Sequence, residues 1–190
     1  MQAWKVQRSR IVLERDWLRV REEHVILPTG YEIEEFHVIE GPDWVGVLPL
    51  TDDNQVVMVD QYRHGLGAMS RELPAGVVDP GESALDAARR ELLEETGYAA
   101  REWQHLITFA TEPTRHVTTA HFFVARGAAR VAEQQLDASE HLSVVQVSPK
   151  QLFEEIRGGV VRHATHIAAI SLAVVWGFLE LGPRAHLDGE

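Results

Sequence analysis

Apolar residues first appear in short runs of strand length. Trp4–Glu14 and Trp17–Leu27 read as two strands, Pro28-Thr29-Gly30 as a turn, and Tyr31–Ile39 as a strand that completes a hairpin. Gly41-Pro42-Asp43 interrupts the pattern. Residues 1–42 are therefore expected to form a small antiparallel β subdomain, the alternative being that these strands extend a main sheet. Trp44–Leu50 and Gln55–Gln61 flank the polar Thr51-Asp52-Asp53-Asn54 and predict a second hairpin. Further strands are expected near Glu102–Ala110, Thr119–Ala125 and Leu142–Val147.

Helical composition begins at Ser83. Ser83–Thr96 is rich in Ala, Leu, Arg and Glu, follows the turn signal Pro80-Gly81, and stops at Gly97. Leu85, Ala88, Leu92 and Leu93 supply its apolar side. A second helix opens at Ser148-Pro149, runs through Ile156 and ends at Gly158-Gly159. A last helix is expected from about Val161 to Leu181. Its apolar run, Ile167–Leu181, is short for a membrane span and contains Ser171, Gly177 and Glu180, so it reads as a buried helix. Strands mixed with few helices in irregular order indicate an α+β protein, a mixed three-layer sandwich over residues 43–190.

The first helix carries the chemistry. Glu91, Glu94 and Glu95 stand at i, i+3 and i+4, so their carboxylates share one face. Like charges at that spacing repel, and a divalent cation resolves the conflict. Clustered carboxylates suit hard cations such as Mg²⁺, or Mn²⁺. Glu82 and Arg90 can pair and orient the cluster. The competing reading is a solvated, charged surface helix, which the fixed glycine, glutamate and arginine spacing over Gly76–Tyr98 disfavours.

Composition narrows the partners. The formal net charge is −11, without a Lys/Arg-rich block, which argues against broad nucleic-acid or anionic-membrane binding. There is no cysteine, so disulfides and thiolate metal sites are excluded. MQAWKVQRSR lacks a signal-peptide apolar core, and a soluble cytoplasmic protein is expected.

The spacing of Gly76, Glu82, Arg90-Glu91, Glu94-Glu95, Gly97 and Tyr98 resembles the Nudix box without a departure. That resemblance implies a metal-dependent hydrolase with a Nudix-type α/β/α sandwich. RELPAG (Arg71–Gly76) and QYR (Gln61–Arg63) resemble the ADP-ribose pyrophosphatase and nucleotide-sugar hydrolase branch, which implies a homodimer paired through its N-terminal sheet. By the same resemblance the Ala75 carbonyl, Glu91, Glu94 and Glu95 bind metal, with Glu94, Glu95 and Arg90 in the catalytic group. Arg63 contacts substrate phosphate, and Glu72 the nucleoside or ribose side. The alternative for Arg63 is a surface ion pair, and Glu72 has a similar one. Pro113 stands where a proline marks the ADP-ribose subgroup, but Thr114-Arg115-His116 replaces the usual following glycine. Arg115 and His116 could read phosphate or hydroxyls, or belong to a plain loop. The substrate stays open between ADP-ribose and GDP-mannose or UDP-sugars.

Arg126–Ser139 reads as a polar, mobile loop. The resemblance implies a water-activating glutamate there, with Glu140 first, Glu133 second and Asp137 third. His163 and His166 have metal-binding spacing but no third ligand beside them, so they are expected on the helix surface or in the core. Trp4, Trp17, Trp44, Trp103 and Trp176 are expected in the core or a dimer interface, with one near the start able to stack on a base. Two rivals remain in view: a non-catalytic ADP-ribose sensor, which the complete set of glutamates disfavours, and an RNA 5′-end pyrophosphohydrolase, which the acidic balance disfavours.

Overall fold

A computed structural model describes residues 2–180 of the chain. The expected end of the last helix at Leu181 and of the main domain at residue 190 lie outside the described residues.

The chain divides into two compact units. The first comprises the described residues through Asp43 together with Phe109–Ala120. In it β1 (Lys5–Arg15), β2 (Leu18–Ile26) and β3 (Glu32–Glu40) form an antiparallel sheet in chain order. Charge pairs across this sheet include Arg10 with Glu22, Arg19 with Glu14 and Glu40, and Arg21 with Glu40. Bulges between Val6 and Arg8 and between Ile11 and Leu13 shift the register of β1. The later segment joins by backbone bonds: Ile39 N–H donates to the Arg115 carbonyl, and Val117 N–H to the Ile39 carbonyl. Nothing local in residues 109–120 announces this pairing, which is why a boundary read along the sequence omits it.

The second unit comprises Trp44–Thr108 and the described chain from His121 onward. Its elements begin with β4 (Trp44–Leu50), β5 (Val56–Arg63), β6 (Ala68–Glu72), β7 (Ala75–Val77) and α1 (Ala84–Thr96). There follow β8 (Tyr98–Ala99), β9 (Glu102–Ala110, its last two residues in the first unit), β10 (Thr119–Arg126, its first two in the first unit), β11 (Ala129–Arg130), β12 (Leu142–Val147), α2 (Pro149–Arg157) and α3 (Ala164–Val175). The main sheet runs β12-β5-β4-β10-β9, with β6 paired to β5 and β7 to β4. The short strands β6, β7, β8 and β11 carry no run long enough to be read from sequence.

β4 is apolar throughout because both of its faces are covered. Val45 and Val47 pack with Ala87, Ala88 and Leu92 of α1, together with Phe123 and Ala125 of β10. The alternate residues turn the other way: Trp44 meets Phe122 edge-on, and both meet His166 of α3. The mixed sheet thus lies between helices, the sandwich that the sequence predicts. Leu93, expected on the apolar side of α1, is exposed, and Ala87 takes the core position. Leu93 follows core residue Leu92 by one position, about 100° around the helix. α3 is shorter than expected at both ends. Gly159 has a positive φ of 70°, so the chain turns before the helix. After Val175, Gly177 adopts φ 73° and Phe178 N–H reaches back to the Ala173 carbonyl.

Candidate active site

Two glycines let α1 carry its carboxylates to the sheet. The Ser83 hydroxyl accepts from Asp86 N–H at 3.1 Å and starts the helix. At the far end Gly97, with φ 73°, donates its N–H to the Leu93 carbonyl. A Cβ on Gly97 would strike the Ala132 carbonyl, and a Cβ on Gly76 would occupy the space of the Glu91 carboxyl. Gly76 is therefore a cradle: it lets Glu91 lie against the backbone beside Ala75.

Arg90 fastens the helix in place. Its five N–H donors are all used: two on Glu82, one on the Val77 carbonyl, and one each on Glu91 and Glu94. Glu82 also accepts from Asp79 N–H at 3.2 Å, closing the turn before α1. The expected pairing of Glu82 with Arg90 is present, and it occupies Arg90 in holding the cluster.

Glu91 and Glu95 are buried side by side on one helix face, 7% and 3% exposed. Glu95 Oε2 accepts from Ala75 N–H at 2.9 Å. Burial, reinforced by the charges of Glu91 and Glu140, pushes Glu95 up to about 8, against the pull of the Ala75 N–H and Arg63. Burial also raises Glu91, with Arg90 opposing and Glu94 and Glu140 adding to the rise. The donor set is hard oxygen throughout: three carboxylates and the neighbouring Ala75 carbonyl. That set fits Mg²⁺ or Mn²⁺. Among the described residues no three His, Asp or Glu side chains converge into a ready-made cage. Arg90, drawing on Glu91 and Glu94 together, is one visible reason.

Glu72 lies at the end of β6, 1% exposed, and takes three hydrogen bonds from Arg63 at 2.6–3.1 Å. Arg63 is half-buried, and its charge reaches Glu95. The two residues expected to contact substrate are thus bound to each other. Neighbouring Arg71 is engaged elsewhere, bidentate on Asp60 and bonded to Glu155.

The loop after β11 is pinned along its first half. Val131 and Ala132 N–H donate to the Gly97 carbonyl, Gln135 N–H to the Glu94 carbonyl, and the Gln134 amide to the Glu95 carbonyl. These bonds satisfy carbonyls at the end of α1 that a helix leaves open. Residues 131–135 of this loop are thus bonded to the end of α1. Gln134 and Gln135 gave no motif signal, since any good donor at the right place would serve. Farther on, Glu140 accepts from Asp137 N–H at 2.9 Å. Its charge reaches Glu91 and Glu95, whereas Glu133 is paired with Arg130 at 2.6 Å on the surface.

Pro113 and Arg115 belong to the first unit. There Arg115 lies 4.7 Å over the Phe36 ring and donates to the His37 carbonyl. His163 and His166 stack at 4.2 Å, and His166 is in the core. Trp44 and Trp103 pack on the core, while Trp4, Trp17 and Trp176 are exposed.

A NUDIX domain profile matches residues 42–169, and the profile of the nucleoside diphosphate sugar hydrolase N-terminal domain matches residues 4–39. The chain is 32% identical over 149 residues to an ADP-ribose pyrophosphatase of Bacillus subtilis, covering 78% of this chain and 80% of that protein. It is also 32% identical over 141 residues to the methanol dehydrogenase activator of Bacillus methanolicus, covering 74% of this chain and 76% of that one. The solved structure of an ADP compounds hydrolase superimposes with a TM-score of 0.82 at 21% identity, over 93% of this chain and 95% of that chain. A glutamate helix seated on a glycine cradle, in a sandwich of this topology and with these sequence matches, makes the chain a member of the Nudix hydrolase family.

Proposed function

We propose that this protein hydrolyses the pyrophosphate bond of ADP-ribose or a related nucleoside diphosphate sugar, giving a nucleoside monophosphate and a sugar phosphate. One observation carries the reading: Glu91 and Glu95 are buried together, and Glu140 adds further negative charge. Such a cluster calls for cations, and a bound pyrophosphate calls for the same cations. A divalent cation, Mg²⁺ or Mn²⁺, held by Glu91, Glu94, Glu95 and the Ala75 carbonyl would neutralise the diphosphate and make water more acidic. The chain's own groups do the rest. Arg63, held by Glu72, grips phosphate oxygen. Glu140 takes the proton of the attacking water as its oxygen bonds to one phosphorus. The bridging oxygen leaves on the other phosphate. Arg90 keeps the carboxylates aligned from behind.

The N-terminal profile match and the Bacillus subtilis relative support a nucleotide sugar. Thr114-Arg115 after Pro113 keeps GDP-mannose and UDP-sugars beside ADP-ribose as candidates. Among the described residues no helix is long and apolar enough to cross a membrane. A homodimer formed through the first unit is supported by its exposed Trp4, Ile11, Trp17 and Tyr31, and light scattering tests it. The decisive test of function is a panel of nucleotide sugars with Mg²⁺ and with Mn²⁺, with products identified by mass. Hydrolysis of at least one to a nucleoside monophosphate is expected. No hydrolysis of any would overturn the proposal.

A further inference from the structure

The link between β6 and β7 is two residues long, Leu73-Pro74. On one side of it stands Glu72, which holds Arg63. On the other stands Ala75, which bonds Glu95. The position of this link therefore sets the spacing between the phosphate-gripping pair and the carboxylate cluster.

Three elements hold the link and its exit. Val47 N–H of β4 donates to the Pro74 carbonyl at 2.9 Å. Ala75 N–H donates to Glu95 of α1. Leu73 N–H donates to Nδ1 of His166 in α3 at 3.1 Å, across 93 positions of sequence. Proline has no N–H, so Leu73 supplies the only backbone donor of the link itself.

His166 is built for this one bond. It is 1% exposed, and its Nε2 is buried with no hydrogen-bond partner. The ring is confined by His163, stacked at 4.2 Å, and by the rings of Trp44 and Phe122 at 5.7 and 5.5 Å. An Nδ1 that accepts an N–H carries no proton, so in the neutral ring the proton sits on Nε2. An unpaired buried N–H is a cost that a plain core residue would not carry. A leucine or phenylalanine would fill the space without it, but would leave Leu73 N–H without an acceptor.

We propose that His166 is a positioning residue for the hydrolase site: its Nδ1 clamps the Leu73 amide and so fixes Ala75 and Glu72 relative to each other. The inference rests on the functional reading above, because it treats Ala75 and its carboxylate neighbours as the cation site. It makes α3, which contributes no carboxylate, part of the machinery.

The test compares wild type with His166→Asn and His166→Leu. Asparagine Oδ1 stands close to where histidine Nδ1 stands, whereas leucine offers no acceptor. Mn²⁺ affinity is read directly by electron paramagnetic resonance on the intact chain. The leucine variant should bind Mn²⁺ about ten-fold more weakly, and the asparagine variant should stay within about three-fold of wild type. Equal Mn²⁺ affinity in all three proteins, or an equal loss in both variants, would overturn the clamp. Should either variant fail to fold, long-range ¹H–¹⁵N correlation on the wild type still decides. An unprotonated Nδ1 on His166 supports the clamp, and a protonated one sinks it. If wild type binds Mn²⁺ but cleaves no nucleotide sugar, the functional reading falls, and the clamp stands when the leucine variant alone loses Mn²⁺ affinity. If wild type is active and the leucine variant binds Mn²⁺ as tightly, the reverse holds.

Discussion

Glu72 and Glu95 are both buried glutamates of the same unit, 1% and 3% exposed, yet their surroundings are opposite. Glu72 takes three hydrogen bonds from the Arg63 guanidinium. Glu95 has one backbone N–H and two acidic neighbours, and it is pushed up to about 8. A buried carboxylate is costly unless it is paired. Glu72 has its partner within the chain, and in turn it holds the Arg63 guanidinium. Glu95 has too little within the chain to offset its burial, and the missing counter-charge is what a divalent cation would supply.

The largest effect should come from removing the uncompensated charge. Glu95→Gln should lower hydrolysis about a thousand-fold, in line with the loss of one major electrostatic stabiliser of a transition state. The thermal midpoint of the metal-free protein at neutral pH should not fall, because a buried carboxyl pushed up to about 8 is already mostly protonated there, and glutamine keeps an acceptor for Ala75 N–H. A clear loss of metal-free stability would show that Glu95 is compensated after all. Glu72→Gln should behave in the opposite way. Urea unfolding should show a loss of about 1–3 kcal/mol, because Arg63 loses its charged acceptor. KM should rise more than kcat falls, since the grip on substrate proposed for Arg63 acts in the ground state as well. An unchanged unfolding midpoint would remove the distinction between the two glutamates.

The smallest effect concerns the base of the compensated side. Burial, and then the charges of His163 and Arg63, hold His166 well below its ordinary 6.5. His163 is also lowered by burial and by Arg63, with Glu72 opposing. Unfolding lets His166 take up a proton near 6.5, so the unfolded state binds more protons below that pH. Its contribution is complete above about 6.5 and is lost as pH falls, by at most about 1.4 kcal/mol per pH unit. Urea midpoints between pH 5 and 7.5 should show this slope, shallower in His166→Asn. An identical slope in the two proteins would remove His166 as its source.

Much of α1 was legible from sequence because its signals are local. Helix-forming residues, the Ser83 cap and the stop at Gly97 act within one turn of themselves. The i, i+3, i+4 spacing of Glu91, Glu94 and Glu95 fixes a shared face without reference to the rest of the fold. Leu93 is not legible in the same way: its neighbour Leu92 is core, and apolar identity alone does not say which of two adjacent helical positions faces the sheet. The bond between Arg63 and Glu72 is not legible in sequence: Gly65 and Gly67 mark a turn after β5, but Ala68–Glu72 has no apolar alternation to announce the returning strand. The i, i+3 spacing of His163 and His166 is legible in sequence, but what the His166 ring meets is not. Its place in the core is what lets it meet Leu73.

The sequence by itself determined a helix with three acidic groups on one face, the glycines at its approach and its end, and hence a demand for cations. Only the tertiary structure decided which buried glutamate is satisfied and which is not. It also decided that residues 109–120 join the N-terminal unit, that a loop caps the end of α1, and that α3 holds Leu73. The physical reason is range. Propensity, capping and periodicity act over a few residues, whereas desolvation and hydrogen-bond partnership depend on what the chain brings alongside from far away.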